Sequence, residues 1–165
     1  MILNIETGRD NPILRKESDG VKEITKKTIK LIKDMEETMV VAKGAGLAAP
    51  QVGINVRIIL ITLDNKKILT LINPKIISAS DKTAVDEEGC LSLPGEWGKV
   101  RRPFEITVQF QTIKGRQLVM KFDNFEAREI QHEIDHLDGV LFVDHLGEGD
   151  ITLDNLSAQT EVEKI

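Results

Sequence analysis

Residues 123–139, DNFEAREIQHEIDHLDG, constrain this chain more than any other stretch, because they set two histidines four apart around a glutamate in a segment built to be helical. Asp123 or Asn124 is placed to cap the segment, Glu126 follows at capping-box spacing, and Gly139 tolerates the positive φ that ends a helix. Ala127, Ile130, Ile134 and Leu137 recur at three- and four-residue steps, which stacks them on one face. Phe125, Glu129, His132 and His136 fall on roughly the opposite side. Such a helix is expected to press one face into the core and to line a cavity with the other. His132 and His136 then reach one metal ion, with Glu133 beside them for acid or base chemistry.

The rest of the chain supplies the surroundings. A length of 165 residues, 41% of them hydrophobic, is enough for one domain with a sizeable core and too short for two ordinary ones. Residues 1–20 read as an irregular arm, with turn signals at Asn11-Pro12 and Asp19-Gly20. Residues 21–42 read as an amphipathic helix with Val21, Ile24, Thr28, Leu31, Met35 and Met39 as its apolar stripe and the lysines on a solvated face. Strand-like runs at 56–63, 67–72 and 75–77 are separated by turns at Asp64-Asn65 and Asn73-Pro74, and 104–112 with 117–122 reads as a hairpin. The fold class expected is α+β, antiparallel sheets packed around a central helix that carries His-Glu-x-x-His, with an N-terminal amphipathic helix. Residues 1–146 form the single catalytic domain, and 147–165 an acidic tail or short helix.

Two loops complete the chemistry. In residues 43–51, KGAGLAAPQ, Gly44 and Gly46 permit close backbone approach and Pro50 blocks a helix. The Gly-Lys-Ser/Thr ending of a phosphate loop is missing, so a loop that admits a substrate main chain, with Gln51 offering a side-chain amide, is the better reading. In residues 86–94, DEEGCLSLP, the single cysteine Cys90 follows Gly89 in an expected turn. A lone thiol cannot form an internal disulfide, which fits a reducing compartment. Delivered to the helix it would complete a His-His-Cys set suited to zinc or ferrous iron, and three protein ligands leave a position open for water.

These motifs together resemble the peptide deformylase family. Its three patterns stand in order as Gly44-Ala45-Gly46-Leu47-Ala48-Ala49-Pro50-Gln51, Glu88-Gly89-Cys90-Leu91-Ser92 and Gln131-His132-Glu133-Ile134-Asp135-His136, and the resemblance runs from about Pro12 to Leu146 with Arg102 included. It implies removal of the N-formyl group from the N-terminal formylmethionine of newly made polypeptides, with release of formate. It also implies one divalent metal ion held by Cys90, His132 and His136. Fe2+ is the expected native ion, while Zn2+, Ni2+ or Co2+ also suit the ligands. Hydroxide on the metal would attack the formyl carbon, with Glu133 as general acid and base and Gln51 plus the Leu91 N–H as oxyanion donors. Gly44, Ala45 and Gly46 would bind the substrate main chain, Phe125 and Glu129 would line its pocket, and Glu88 and Arg102 would support the cysteine loop as a charge pair. One residue departs from the family pattern: Glu129 is charged where the family has an apolar wall, and it is expected to turn outward at the pocket mouth because an unpaired buried carboxylate is costly.

Other readings stay open at this point. His132-Glu133-x-x-His136-x-x-Gly139 also begins a longer metalloprotease pattern, but Phe142 stands where its third histidine belongs, His145 comes three residues later, and Glu161 is a distant substitute. A purely structural metal would need a fourth protein ligand, for which His145 is the obvious spare. A net charge of −5 argues against nucleic-acid binding. The tail, with Glu148, Asp150, Asp154, Glu161 and Glu163 against Lys164, offers no basic docking surface for a ribosome. The opening residues MILNIETGRDNP lack a signal peptide's pattern, and no apolar run spans a bilayer. A cytoplasmic monomer that meets nascent formylmethionyl peptides is expected.

Overall fold

The computed structural model describes residues 1–147. The acidic tail expected at 147–165 therefore lies, Gly147 apart, outside the described residues. The first twenty residues are not wholly irregular, because Asn11 accepts from the Ile13 N–H and starts a single helical turn, α1, over Pro12–Arg15.

Helix α2 spans Lys26–Val41. It begins later than the apolar periodicity implies, because Thr25 and Thr28 form a reciprocal capping box that sets the first turn. Val21 and Ile24 precede it and pack only at the edge of the core. The cap spends Thr28 on the helix end, and the buried stripe is Ile32, Met35, Thr38 and Met39.

Seven strands follow: β1 Gly46–Ala48, β2 Ile58–Thr62, β3 Ile68–Ala79, β4 Thr83–Cys90, β5 Leu93–Pro103, β6 Glu105–Gln111 and β7 Gln117–Asp123. They form an antiparallel five-stranded sheet ordered β1-β2-β3-β6-β7 and a separate two-stranded hairpin, β4-β5. Helix α3 spans Asn124–Leu137. Period-two alternation sends Ile59 and Ile61 of β2 to the face covered by α3, and Ile58 and Leu60 to the face covered by α2. Strand β2 is thus buried on both sides, which is why it reads as an unbroken apolar run. On α3, Ala127, Ile130, Ile134 and Leu137 join Leu71, Ile106, Val108, Phe110 and Phe122 in one cluster, as their spacing implies.

Asn73-Pro74 is not a turn. β3 passes through it with a register shift against β6 between Ile72 and Lys75. Asn73 sits at φ 52°, and its amide bonds the backbone of Val21 on both sides, so the residue types of a turn serve here as a bulge. Residues 86–94 are likewise more than a turn: they close a long hairpin whose strands β4 and β5 escaped the sequence reading because their alternation is largely charged. Helix α3 lacks the expected capping box. No side chain caps it, and Glu126 instead accepts from the Asp64 N–H across the fold. Its end is as expected, since Gly139 lies at φ +75° and a Cβ there would come within 2.4 Å of the Arg15 carbonyl oxygen.

Candidate active site

Three chain segments far apart in sequence meet at one cleft of about 480 Å³. Its wall takes Gly44, Ala45, Gly46 and Gln51 from the β1 region, Glu88, Cys90 and Leu91 from the hairpin, and Phe125, Glu129, His132 and Glu133 from α3. Of the residues expected to form the site, only His136 and Arg102 do not line this wall.

Cys90, His132 and His136 offer ligand atoms all within 4.8 Å of one another. The Cys90 Sγ lies 3.3 Å from His136 Nε2 and accepts from the Ser92 N–H at 3.4 Å. Burial alone would lower the pKa of His132, but its bonds to Cys90 and Glu88 outweigh that and raise it well above the ordinary value. Burial and the field of His132 push His136 well below it. A buried cluster of one thiol and two imidazoles has the soft and nitrogen donors that a divalent transition metal competes for. Two buried atoms here, His136 Nδ1 and Glu133 Oε2, have no hydrogen-bond partner in the protein. The donor set therefore fits the metal that the sequence implies. His145 stands apart from it: its Nε2 is 2.8 Å from Asp135, so it is neither a fourth ligand nor the third histidine of a metalloprotease. Glu161 lies outside the described residues.

His132 is oriented from behind. Its Nδ1–H donates to Glu88 Oε1 at 2.9 Å, which leaves Nε2 as the donor atom. Glu88 is saturated: Arg102 donates to both of its oxygens at 2.6 and 2.9 Å, and Arg128 donates to Oε2 at 2.7 Å. Burial alone would raise the Glu88 carboxyl, but Arg102 and His132 hold it far below the usual carboxylate range. Glu88 and Arg102 are indeed paired, as the sequence reading expects, yet Glu88 is also the orienting group for His132. Arg128 was missed. It also donates to the carbonyls of Val100 and Ala84, tying both hairpin strands to α3. Its position one turn before His132 was the available signal, but an arginine in a charged helix carries no mark of burial. Asp135, which accepts from Arg102 at 3.0 Å, was missed for the same reason.

Glu133 is buried at the inner end of the cleft wall, 3% exposed. Burial, with the fields of Glu129 and Glu88 added and that of His132 opposed, pushes its pKa to about 8. Gly46 makes room for it, since a Cβ there would stand 2.7 Å from Glu133 Oε1. Gln51 is fixed by its oxygen, which accepts from the Ala48 N–H at 2.9 Å, and its Nε2 points to Ser92 Oγ at 3.2 Å and Cys90 Sγ at 3.6 Å. Strand β1 is an edge of the sheet. The Thr62 N–H donates to the Ala45 carbonyl opposite it, so the antiparallel ladder uses Ala45 and Leu47 and leaves the N–H and C=O of Gly46 facing away from β2.

Glu129 does not turn outward. It is half-buried on the cleft wall, and burial raises its pKa while the field of His132 opposes the rise. Phe125, 48% exposed, stands at the rim.

Comparison with known proteins agrees with this geometry. The family model described as polypeptide deformylase matches residues 2–150. A peptide deformylase of Halothermothrix orenii is 49% identical over 135 residues, covering 81% of this chain and 87% of the relative. Among solved structures, the peptide deformylase of Thermotoga maritima superposes with a TM-score of 0.86 at 37% identity, covering 90% of this chain and 99% of that one. The Met-Ala-Ser-bound class I type b peptide deformylase of Acinetobacter baumannii superposes with a TM-score of 0.84 at 32% identity, covering 88% and 99%.

Proposed function

This chain belongs to the polypeptide deformylase family and is an enzyme, and on that premise we propose that it hydrolyses the N-formyl group from the N-terminal formylmethionine of newly made polypeptides. The observation that carries the reading is the convergence of Cys90, His132 and His136 within 4.8 Å beside a buried glutamate, at the open edge of a sheet. Cys90, His132 and His136 would hold one divalent ion, Fe2+ in the native enzyme with Zn2+, Ni2+ or Co2+ as substitutes. Such an ion supplies a Lewis acid and brings the pKa of water from 15.7 toward about 7.

The chain's own residues do the rest. An extended formyl-peptide pairs with the outward N–H and C=O of Gly46 as an added strand, with Gly44 and Ala45 alongside. Water adds to the formyl carbon, and Glu133 takes its proton. The protonated Glu133 carboxyl can then pass that proton to the amine as the C–N bond breaks, leaving formate and a free α-amine. Charge on the former carbonyl oxygen is met by Gln51 Nε2 and the Leu91 N–H. Glu88, itself held by Arg102 and Arg128, keeps the His132 ring in one tautomer. Phe125 and Glu129 border the substrate side chain. Among the described residues no helix is long and apolar enough to cross a membrane. A cytoplasmic monomer that meets nascent formylmethionyl peptides completes the reading.

The test is formate release from formyl-Met-Ala-Ser by anaerobically prepared, iron-reconstituted protein beside Glu133→Ala. Release by the wild type and a loss of at least about 10²-fold in the variant is expected. One bound metal per chain without formate release would refute the assignment.

A further inference from the structure

The N-terminal arm ties α2 to both loops of the cleft. The α-amine of Met1 lies 2.8 Å from Asp34 Oδ1 and 3.1 Å from Glu37 Oε2, both on α2. The Leu3 N–H donates to Thr38 Oγ1 at 2.8 Å, the Glu6 N–H to the Gln51 carbonyl at 2.7 Å, and the Gly8 N–H to the Ser92 carbonyl at 3.0 Å. Arg9 pairs with Glu96 on β5. Asp34 sets the terms at the first of these points, because its side chain is only 10% exposed. Lys30 Nζ donates to its Oδ2 at 2.7 Å, and the Met1 amine serves its Oδ1. Asp34 and Glu37 hold the pKa of that amine above its ordinary value. An ammonium group brings three donors and a positive charge to the two carboxylates. A formylated amine is an amide, which keeps one N–H, carries no charge and sets a carbonyl oxygen beside two acids.

We propose that the Met1 α-amine is a modification site of the enzyme's own reaction: one copy deformylates the N-terminus of another, and the ammonium group so freed latches the N-terminal arm to Asp34 and Glu37. This rests on the deformylase reading above and adds the enzyme's own chain as a substrate. The reaction runs between copies, before the arm is seated, since no residue of the arm lines the cleft. Water adds to the formyl carbon, the C–N bond to Met1 breaks, formate leaves, and the amine takes up both protons of the water as ammonium. The seated arm then braces the two loops that carry Gln51 and Cys90, through the Glu6 and Gly8 backbone bonds.

The experiment starts from the full Glu133→Ala chain, made by cell-free translation with a formylated initiator and no other deformylase. Intact mass, melting temperature and hydrogen exchange are read before and after treatment with a trace of iron-loaded wild type. The starting chain is expected to carry its formyl group and the treated chain to have lost it. That loss should raise the melting temperature by about 2–4 °C and slow exchange of the Glu6 and Gly8 amides about fivefold. With Asp34→Asn and Glu37→Gln added, the formylated and free forms should behave alike, whatever the stability of that variant itself. Equal melting and exchange of the two Glu133→Ala forms overturns the latch while the deformylase reading stands. A formyl group that wild type leaves on the chain while it turns over formyl-Met-Ala-Ser does the same, as does a native chain whose Met1 amine is blocked or extended. Absence of formate release from formyl-Met-Ala-Ser overturns both.

Discussion

The five-stranded sheet and the β4-β5 hairpin meet α3 on different terms. The sheet buries Ile59, Ile61, Leu71, Phe110 and Phe122 against the apolar face of the helix. The hairpin is pinned to it by ions: Glu88 on β4 accepts from Arg102 on β5 and from Arg128 on α3, and Arg128 reaches carbonyls on both strands. Its apolar contact is small, Leu93 and Val100 against Leu141 and Phe142. Apolar packing is non-directional and degrades gradually as volume is lost, whereas a buried ionic network holds groups at fixed angles and fails when one partner is removed. Cys90, the proposed metal ligand, is carried by the part held by ions, and His132 bonds the same carboxylate. The sheet and the hairpin are thus joined to α3 by different forces.

The largest test of that contrast is Glu88→Gln, which keeps the volume and removes the charge. It should destabilise the protein by about 3–5 kcal/mol, because Arg128 is left buried without a counter-charge and Arg102 keeps only Asp135. Thermal melting should drop by about 10 °C, and metal affinity by about 10- to 100-fold as His132 loses its orienting acceptor. A loss below about 1 kcal/mol would mean that the hairpin is held by its apolar contacts after all.

A smaller effect is expected where the sheet is altered. Ile130→Val removes one methylene from the apolar face of α3 and should cost only about 1 kcal/mol, read by chemical denaturation, without the loss of metal affinity seen in Glu88→Gln. Equal penalties for the two variants would erase the distinction between the regions.

The smallest effect should come from an ion pair in water. Arg15 donates to Asp144 at 2.6 Å and joins α1 to the last turn, but both side chains are about a third exposed. Burial alone would raise the Asp144 carboxyl, and Arg15 with the Leu141 N–H outweighs it and holds the pKa below the ordinary value. A depressed carboxylate contributes stability above its unfolded pKa of about 3.9 and loses it as pH falls through the lower folded value. Asp144→Asn should therefore melt slightly below wild type at pH 7, by less than about 1 kcal/mol, and the two should converge below about pH 3. A gap that persists in acid would show that the pair acts through packing rather than charge.

Helix α3 was legible from local spacing alone. Four-residue steps put His132 and His136 on one side and Ile130, Ile134 and Leu137 on the other, and helical geometry leaves little freedom in where those faces point. The two loops with Gln51 and Cys90 were legible because their residue types are rare and ordered in a recognisable way. Charged alternation hid β4 and β5, and Asn73-Pro74 imitated a turn, because local propensity does not register a strand partner that satisfies the bulge.

What the amino-acid sequence determined by itself was therefore the helix that presents His132 and His136 together, since that follows from covalent spacing at 3.6 residues per turn. The partners of those groups were decided by tertiary structure. His132 and Glu88 are 44 residues apart, and Arg128 and Glu88 are 40 apart. The fit of Gly46 against Glu133 and the inward course of Glu129 likewise exist only once the sheet edge, hairpin and helix close on one cleft. A charged residue looks alike in sequence whether it faces water or a buried counter-ion, and only packing removes the water that makes the two cases different.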